Sequence, residues 1–553
     1  MIGTHLAPWA PCIRSSRNKT VPRLIRNDLK TGHWLILLVF LARMSIRLFL
    51  VVLAVATVWL KNRKKSALPL PPSPPADPIL GHLRHIPPMA PEDQFAAWSK
   101  IYGDVMLLRV FNRNMIILNT AEAAIDLMEK RSWNYSDRPP FPILDIMGWV
   151  PTLTFIGYGK RFQKHRRLLQ QYFSKQKVVQ YQPIQLREAR RLALNLLDNP
   201  GEHEAMTRRF STSIIIRIAY GHEIKSDDDP YIKIAEDSGY ALTHCGPPGG
   251  TPVDLFPILQ HFPSWFPGTY FAEKAREFNK YIRALHEYPF AQVRKQMAEG
   301  TAKPSFLSYH LERLNQDGLE TEEEFDDVKG AAAVIYCAGA DTTWSNLSIF
   351  LLAMTLYPEC QARAQAEIDA FLDGSRLPEI TDRDSLPFVD CIVKETHRWL
   401  NAVPGGVPHR AVEDDVYKGM LIPKGSLVFA NTRGISMNDA VYHDPSTFKP
   451  SRYLPKSQGG QEEPEPLAQF GFGRRICPGR HLADVSLWLA MATVLSLYEV
   501  KKAKGPDGKE IIPQVDLESG LTSHPKPYKC VVQLRNERAR KLIDQIRVEM
   551  MSE

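Results

Sequence analysis

A mainly helical fold with small β-sheets, carried behind an N-terminal transmembrane anchor, is what this 553-residue sequence predicts. Three observations lead there. An apolar stretch over 34–60 closes in a basic run, and one helical pattern runs unbroken from Thr321 to the stop at Pro358. Short strand pairs, such as Asp415 to Asn431 around the turn Pro423-Lys424-Gly425, punctuate further helical segments. With no internal repeat and no polar low-complexity linker, the remainder reads as one large domain.

The anchor comes first. From Trp34 to Leu60 the interruptions that matter are Arg43, Ser45 and Arg47, with a lone Thr57 beyond them, and the run Lys61-Asn-Arg-Lys-Lys65 follows. As a helix this stretch spans roughly 40 Å, enough for a bilayer core of ~30 Å with tilt. Arg43 and Arg47 either snorkel, or translation starts at Met44 and the segment before it is a gene-model artefact. The positive-inside rule puts the basic run, and everything after it, on the cytosolic side. A cleavable signal peptide and a mitochondrial presequence are the minor alternatives.

The domains follow in order: an extension over 1–33, the single-pass anchor over 34–60, and a basic and proline-rich hinge over 61–78. A catalytic domain spans 79–537, and a charged tail 538–553. The prolines between Leu68 and Pro78 enforce stiff, extended backbone.

Composition limits the function. Hydrophobic residues at 44% and charged residues at 24% are ordinary for a globular body. The net charge of +8 arises from basic residues interleaved with acidic ones, the pattern of a solvated surface and not of nucleic-acid binding. The 7 cysteines are scattered, odd in number and free of CxxC pairs. That excludes a disulfide framework and a zinc site and fits a reducing compartment.

One segment carries chemistry outright. Phe470-Gly-Phe-Gly473-Arg-Arg475-Ile-Cys477-Pro-Gly479 holds an F-x-x-G-x-R-x-C-x-G pattern, which chance supplies on the order of once in several thousand such chains. Gly473 and Gly479 allow tight turns and close approach to a flat ligand, Phe470 can pack near the sulfur, and Arg475 can pair with a carboxylate. Cys477 precedes a helical run from Arg480 to Leu497, whose N-terminal N–H groups favour a thiolate. Upstream, Glu395 and Arg398 stand i, i+3 on one helix face and can pair.

This segment resembles the haem-binding loop of the cytochrome P-450 family of haem-thiolate monooxygenases, and the likeness extends along most of the chain, most closely to fungal secondary-metabolism members. The resemblance implies a cytochrome P-450-like fold with haem b (iron protoporphyrin IX) and with Cys477 as axial ligand of the haem iron. Ala338-Gly339-Ala340-Asp341-Thr342-Thr343, on the long helix, is similar to the family's oxygen-activating stretch. There Asp341 and Thr342 relay protons, and glycine with a competing hydroxyl opens the helix locally.

Phe448-Lys-Pro450-Ser-Arg452 resembles the segment whose arginine joins Glu395 and Arg398 in a structural triad. Arg166 matches the arginine of the family's W-x-x-x-R helix, with Phe162 in the tryptophan's place. Arg410, preferred over His409 by its spacing from Asp415, is a second propionate partner.

The implied activity is insertion of one oxygen atom from O2 into a small apolar terpenoid, polyketide or indole-like substrate. Electrons come from an NADPH-dependent flavoprotein reductase, since no nucleotide-binding motif is visible in the chain. The surroundings are endoplasmic-reticulum membrane lipid. The cationic group Lys164, Arg167, Arg474, Arg475 and Arg480 is the candidate reductase contact. The alternative is a haem-thiolate isomerase, dehydratase or peroxide user that needs no reductase. Substrate-facing segments by the same analogy are 143–156, 246–270, 334–338, 403–407 and 520–523.

Overall fold

The computed structural model describes residues 68–246, 249–518 and 520–552. The extension over 1–33, the anchor over 34–60, with Met44 in it, and the run 61–65 lie outside them. Among the described residues no helix is long and apolar enough to cross a membrane.

The long helical pattern forms one helix, Glu322–Leu356, of 35 residues. Thr321 caps it by accepting the Glu324 N–H at 3.3 Å, and acidic residues in the first turn complement the helix dipole. The carboxylate of Glu324 does not return to the cap; it pairs with Lys164 at 2.7 Å. Because the helix is buried on nearly every side, it acts as the spine against which the others pack. Its side chains Trp344, Tyr336 and Phe350 are among the largest fully buried ones.

Around it stand His203–Tyr220, Tyr270–Ala298, Pro387–Trp399 and Arg480–Leu497. The approach to the spine is close at Gly330, where a Cβ would stand 1.6 Å from the Pro151 carbonyl oxygen. That contact presses the 149–156 loop onto the helix.

The strands are short: β1 Val105–Val110, β2 Arg113–Leu118, β3 His409–Arg410, β4 Asp415–Tyr417, β5 Met420–Ile422 and β6 Leu427–Ala430. Later come β7 Tyr498–Lys502, β8 Leu517–Glu518, β9 His524–Pro525 and β10 Cys530–Leu534. One sheet has the order β1-β2-β6-β3; the other strands form two-stranded pairs.

The pair expected over Asp415 to Asn431 is divided. β4 and β5 form a hairpin across Lys418 and Gly419, both at positive φ, as a two-residue primed turn requires. Pro423-Lys424-Gly425 instead passes the chain from β5 to β6, which belongs to the larger sheet.

The proline-rich stretch is docked from residue 68 onward: the Pro69 carbonyl accepts the Leu421 N–H at 2.8 Å and that of Pro72 accepts the Leu107 N–H at 2.9 Å. Proline has no N–H to give, yet its carbonyl can still serve a strand edge. The charged tail is a helix, Glu537–Ser552, that buries Ala539, Leu542, Ile543 and Ile546. An apolar stripe at helical spacing among the charges accounts for it, and Arg547–Asp198 at 2.7 Å pins it to the body.

Candidate active site

The cysteine loop turns at Gly471 and Gly473, with φ of 71° and 56°. Gly473 is forced twice over, because a Cβ there would lie 2.1 Å from the Met128 carbonyl oxygen. Gly479, at φ −84°, needs no glycine for its own conformation; a Cβ there would be in van der Waals contact with Cys477 Sγ at 3.9 Å. The Cys477 N–H donates to the Phe470 carbonyl at 2.8 Å, and the helix Arg480–Leu497 starts three residues on.

Burial pushes the Cys477 thiol up, while the N–H groups of Gly479 and Arg480 and the guanidinium groups of Arg166 and Arg480 pull it down. The other cysteines among the described residues are buried and unpaired, and burial pushes each up to about 12. Cys530 sits in β10 near His203, at 3.7 Å.

Cys477 opens on a cavity of about 330 Å³. Arg138, Arg166 and Arg475 line it, and their hydrogen-bond partners are backbone carbonyls. Arg166 donates to Ile476 at 2.5 Å. Arg475 donates to Ser136, Leu153 and Ile156 at 2.7, 3.1 and 2.7 Å. Arg138 donates to Thr154, Val407 and Pro408 at 3.0, 2.7 and 2.7 Å.

Burial lowers the pKa of all three, that of Arg475 to about 10. Cations held by carbonyls alone in a half-buried wall call for an anionic ligand. A flat dianionic haem, its propionates at these arginines and its iron at the soft Cys477 sulfur, fits this donor set.

Sequence reasoning missed Arg138, whose partners Val407 and Pro408 lie far away in the chain; Asp-Arg followed by two prolines was the faint signal. At the next position His409, and not Arg410, lines the cavity. Arg410 is ion-paired with Asp137, Nε to Oδ2 at 2.8 Å, and lies outside the cavity lining, which includes His409. In β3 successive side chains point to opposite faces, so only one of the two can face inward. His409 is buried and bonded to the Tyr135 carbonyl at 2.5 Å. Phe162 is buried with the guanidinium of Arg475 above its ring.

Across the cavity the spine presents Ala338, Gly339, Asp341 and Thr342. The helix is continuous here instead of locally opened. The Thr342 hydroxyl donates to the Ala338 carbonyl at 2.8 Å, and a Cβ on Gly339 would meet Ile215 Cδ1 at 2.6 Å. The local opening expected of this stretch is replaced by close packing of the helix His203–Tyr220 against glycine. Trp149, Thr152, Leu153, Val334, Val403 and Leu521 add walls from the expected segments. None of the described residues of 246–270 reaches the cavity, while Ile214, Ile215 and Leu242 do.

Behind the cysteine loop, Glu395, Arg398 and Arg452 are fully buried. Glu395 receives Arg398 at 2.7 and 2.8 Å, Arg452 at 3.0 Å, the Tyr453 hydroxyl at 2.9 Å and the Lys449 N–H at 2.8 Å. Arg452 finds a second carboxylate, Glu463, at 2.6 Å, so the buried charges balance. Glu463 had no counterpart in the sequence reading.

A cysteine facing a cation-lined cavity beneath a helix that bears an acid and a hydroxyl defines a haem-thiolate enzyme. The family description Cytochrome P450 matches residues 71–532, and the chain belongs to that family. A cytochrome P450 monooxygenase of Armillaria gallica is 40% identical over 514 residues, covering 91% of this chain and 99% of its own length. One from Ampulloclitocybe clavipes is 40% identical over 479 residues, covering 86% and 88%. Tryptamine 4-monooxygenase of Psilocybe cyanescens is 35% identical over 497 residues, covering 88% and 97%. The protein is a monooxygenase, an oxidoreductase. The helix Glu537–Ser552 lies beyond the family match.

Proposed function

We propose that the protein inserts one oxygen atom from O2 into a small apolar substrate of terpenoid, polyketide or indole-like character in secondary metabolite biosynthesis. The observation that carries this is the cavity wall: around Ala338 it is built from Trp149, Leu153, Val334, Val403 and Leu521, and Asp341 is its sole carboxylate among the described residues. The relative called tryptamine 4-monooxygenase supports the indole-like part of that range.

Haem b, bound with a thiolate ligand, supplies O2 binding, stepwise reduction and O–O cleavage. Cys477 would hold it through the thiolate, Arg138, Arg166, Arg475 and His409 would meet its carboxylates, and Phe470 and Gly479 would pack against it from the cysteine loop. Asp341 and Thr342 move protons to the oxygen, and the apolar walls exclude bulk water.

Electrons come from an NADPH-dependent flavoprotein reductase. Of the cationic group expected to meet it, Lys164 is committed to Asp327 at 2.6 Å and Arg475 faces inward. Arg167 and Arg474 are exposed and remain as the docking cations with Arg480. Endoplasmic-reticulum anchoring with the domain on the cytosolic face agrees with the unpaired cysteines. It also agrees with the burial of Asn134 and Asn346, both in Asn-x-Ser sequons.

The test is a carbon monoxide difference spectrum of the reduced holoprotein beside Cys477→Ala, then product screening with NADPH and reductase. A red-shifted Soret band lost in the variant and oxygenated apolar products are expected. Product formed without reductase would support the isomerase or peroxide reading, and turnover confined to anionic metabolites would sink the substrate class.

A further inference from the structure

The spine carries a further polar side chain on the cavity face, one turn past Thr342. Ala338, Thr342 and Asn346 are spaced i, i+4, i+8, and all three line the cavity. Thr342 Oγ1 donates to the Ala338 carbonyl at 2.8 Å, and Asn346 Nδ2 donates to the Thr342 carbonyl at 2.7 Å. Two successive carbonyls on this face therefore each receive a side chain as well as the helix ladder.

The second bond fixes the amide's orientation. With Nδ2 on a carbonyl, Oδ1 is turned away from it. Asn346 is 6% exposed, and its Oδ1 is buried with no hydrogen-bond partner. Leucine would fill the same volume without leaving an acceptor unmet. Asn346 lines the same cavity as Thr342 and Asp341, and its unmet buried acceptor calls for a donor that an ordered water can supply.

We propose that Asn346 is a positioning residue for oxygen activation: its Oδ1 holds an ordered water in the cavity and its Nδ2 holds the Thr342 carbonyl. The inference rests on the monooxygenase reading. The Thr342 hydroxyl gives one proton toward the oxygen being reduced and takes one from this water, which takes one from solvent. The relay ends as it began, and electrons enter only from the reductase.

The test uses haem-loaded protein with purified reductase and NADPH, and needs no identified substrate. Reduction of O2 to water takes four electrons, and reduction to hydrogen peroxide takes two. The peroxide formed per NADPH therefore reports whether protons arrive where the O–O bond breaks.

Asn346→Leu, with a normal carbon monoxide band, is expected to raise the peroxide share several-fold and to change the solvent isotope effect on NADPH oxidation. Asn346→Ala is expected to be milder, since a water can occupy the vacated space and serve the Thr342 carbonyl. A side chain that matters only for packing gives the opposite order, with alanine worse than the nearly isosteric leucine, and that order overturns the proposal. So does an unchanged peroxide share in Asn346→Leu, or a crystal structure of the haem-loaded protein with no water within hydrogen-bond distance of Oδ1. Absence of the thiolate band in the unmutated holoprotein overturns the monooxygenase reading itself, and the proposal with it.

Discussion

The guanidinium carbon of Arg475 lies 3.8 Å from the centroid of the Phe162 ring. This pairing gives the aromatic side chain a task where the family pattern has tryptophan: the ring face steadies a cation that backbone carbonyls alone would leave free to tilt. Phe162→Leu keeps most of the volume and removes the ring. Loss of a cation–π contact of about 1 kcal/mol should speed haem transfer to an excess of scavenging globin roughly fivefold. Phe162→Trp should leave the transfer rate at or below that of the unmutated protein.

Arg138 and Arg410 make a sharper comparison, because each is the partner of a different group. Arg138 has carbonyl partners only and faces the cavity, whereas Arg410 is satisfied by Asp137. Arg138→Gln should weaken haem binding by about 1.5–3 kcal/mol, the range of a charged hydrogen bond. Arg410→Gln should change it little. Haem titration of the apoprotein measures both, and equal losses would place Arg410 at the propionates after all.

Gly473→Ala strains the loop in two ways, through a Cβ 2.1 Å from the Met128 carbonyl oxygen and through a backbone at φ 56°. The contact is with backbone, which cannot rotate aside. The protein should fold, since the loop is peripheral to the spine, but the sulfur shifts. The expected result is a carbon monoxide spectrum with the thiolate band reduced or replaced by an ordinary one. An unaltered band would show that the 125–130 turn gives way instead.

What could be seen in advance was what lies close together in sequence. The cysteine loop compresses its glycines, arginine and thiol into one segment, so its chemistry was legible. The spine was legible because its cap and its stop are local. Arg138 and His409 take their roles from carbonyls delivered by distant segments, as with the Val407 and Pro408 carbonyls at Arg138 and that of Tyr135 at His409, so local pattern held only a faint signal for the first and left the second beside Arg410 as an alternative. The β4–β5 turn was misplaced because Pro-Lys-Gly is a stronger turn signal than Lys418-Gly419. The helix Glu537–Ser552 was hidden by charge density, although its apolar stripe was there to be counted.

Glu395 gathers two arginines, a tyrosine hydroxyl and an N–H in a site with no exposure. Removing the carboxylate charge leaves Arg452 with Glu463 and the buried Arg398 guanidinium without a carboxylate, on the Ser436, Pro445 and Thr447 carbonyls. Glu395→Gln should cost about 3–5 kcal/mol, enough to abolish soluble holoprotein at 37 °C. At lower temperature the urea midpoint of any surviving protein reports the loss. A midpoint within error of the unmutated protein would mean that Glu463 alone can balance both arginines.

His310 supplies an acid-sensitive element remote from the chemistry. Its ring is packed against Phe306, Tyr309 and Tyr172, with centroids 4.6, 5.2 and 5.6 Å away, and its Nε2 has no partner. Burial, with Arg313 acting in the same sense, lowers its pKa from 6.5 to about 4. The unfolded chain takes up a proton below pH ~6.5 while the folded chain does not until near pH ~4, so unfolding binds a proton in that window. Stability from the neutral ring is fully present above the upper value and is lost as the pH falls toward the lower one, by at most about 3 kcal/mol. His310→Phe keeps the aromatic packing and removes the titration. Burial also lowers the pKa of His203, His286, His397 and His409, so both proteins lose stability in acid and only the difference between them is diagnostic. Urea midpoints at pH 7 and pH 4.5 should show the unmutated protein losing about 2–3 kcal/mol more than His310→Phe. Parallel losses would mean that His310 accepts its proton inside the folded protein.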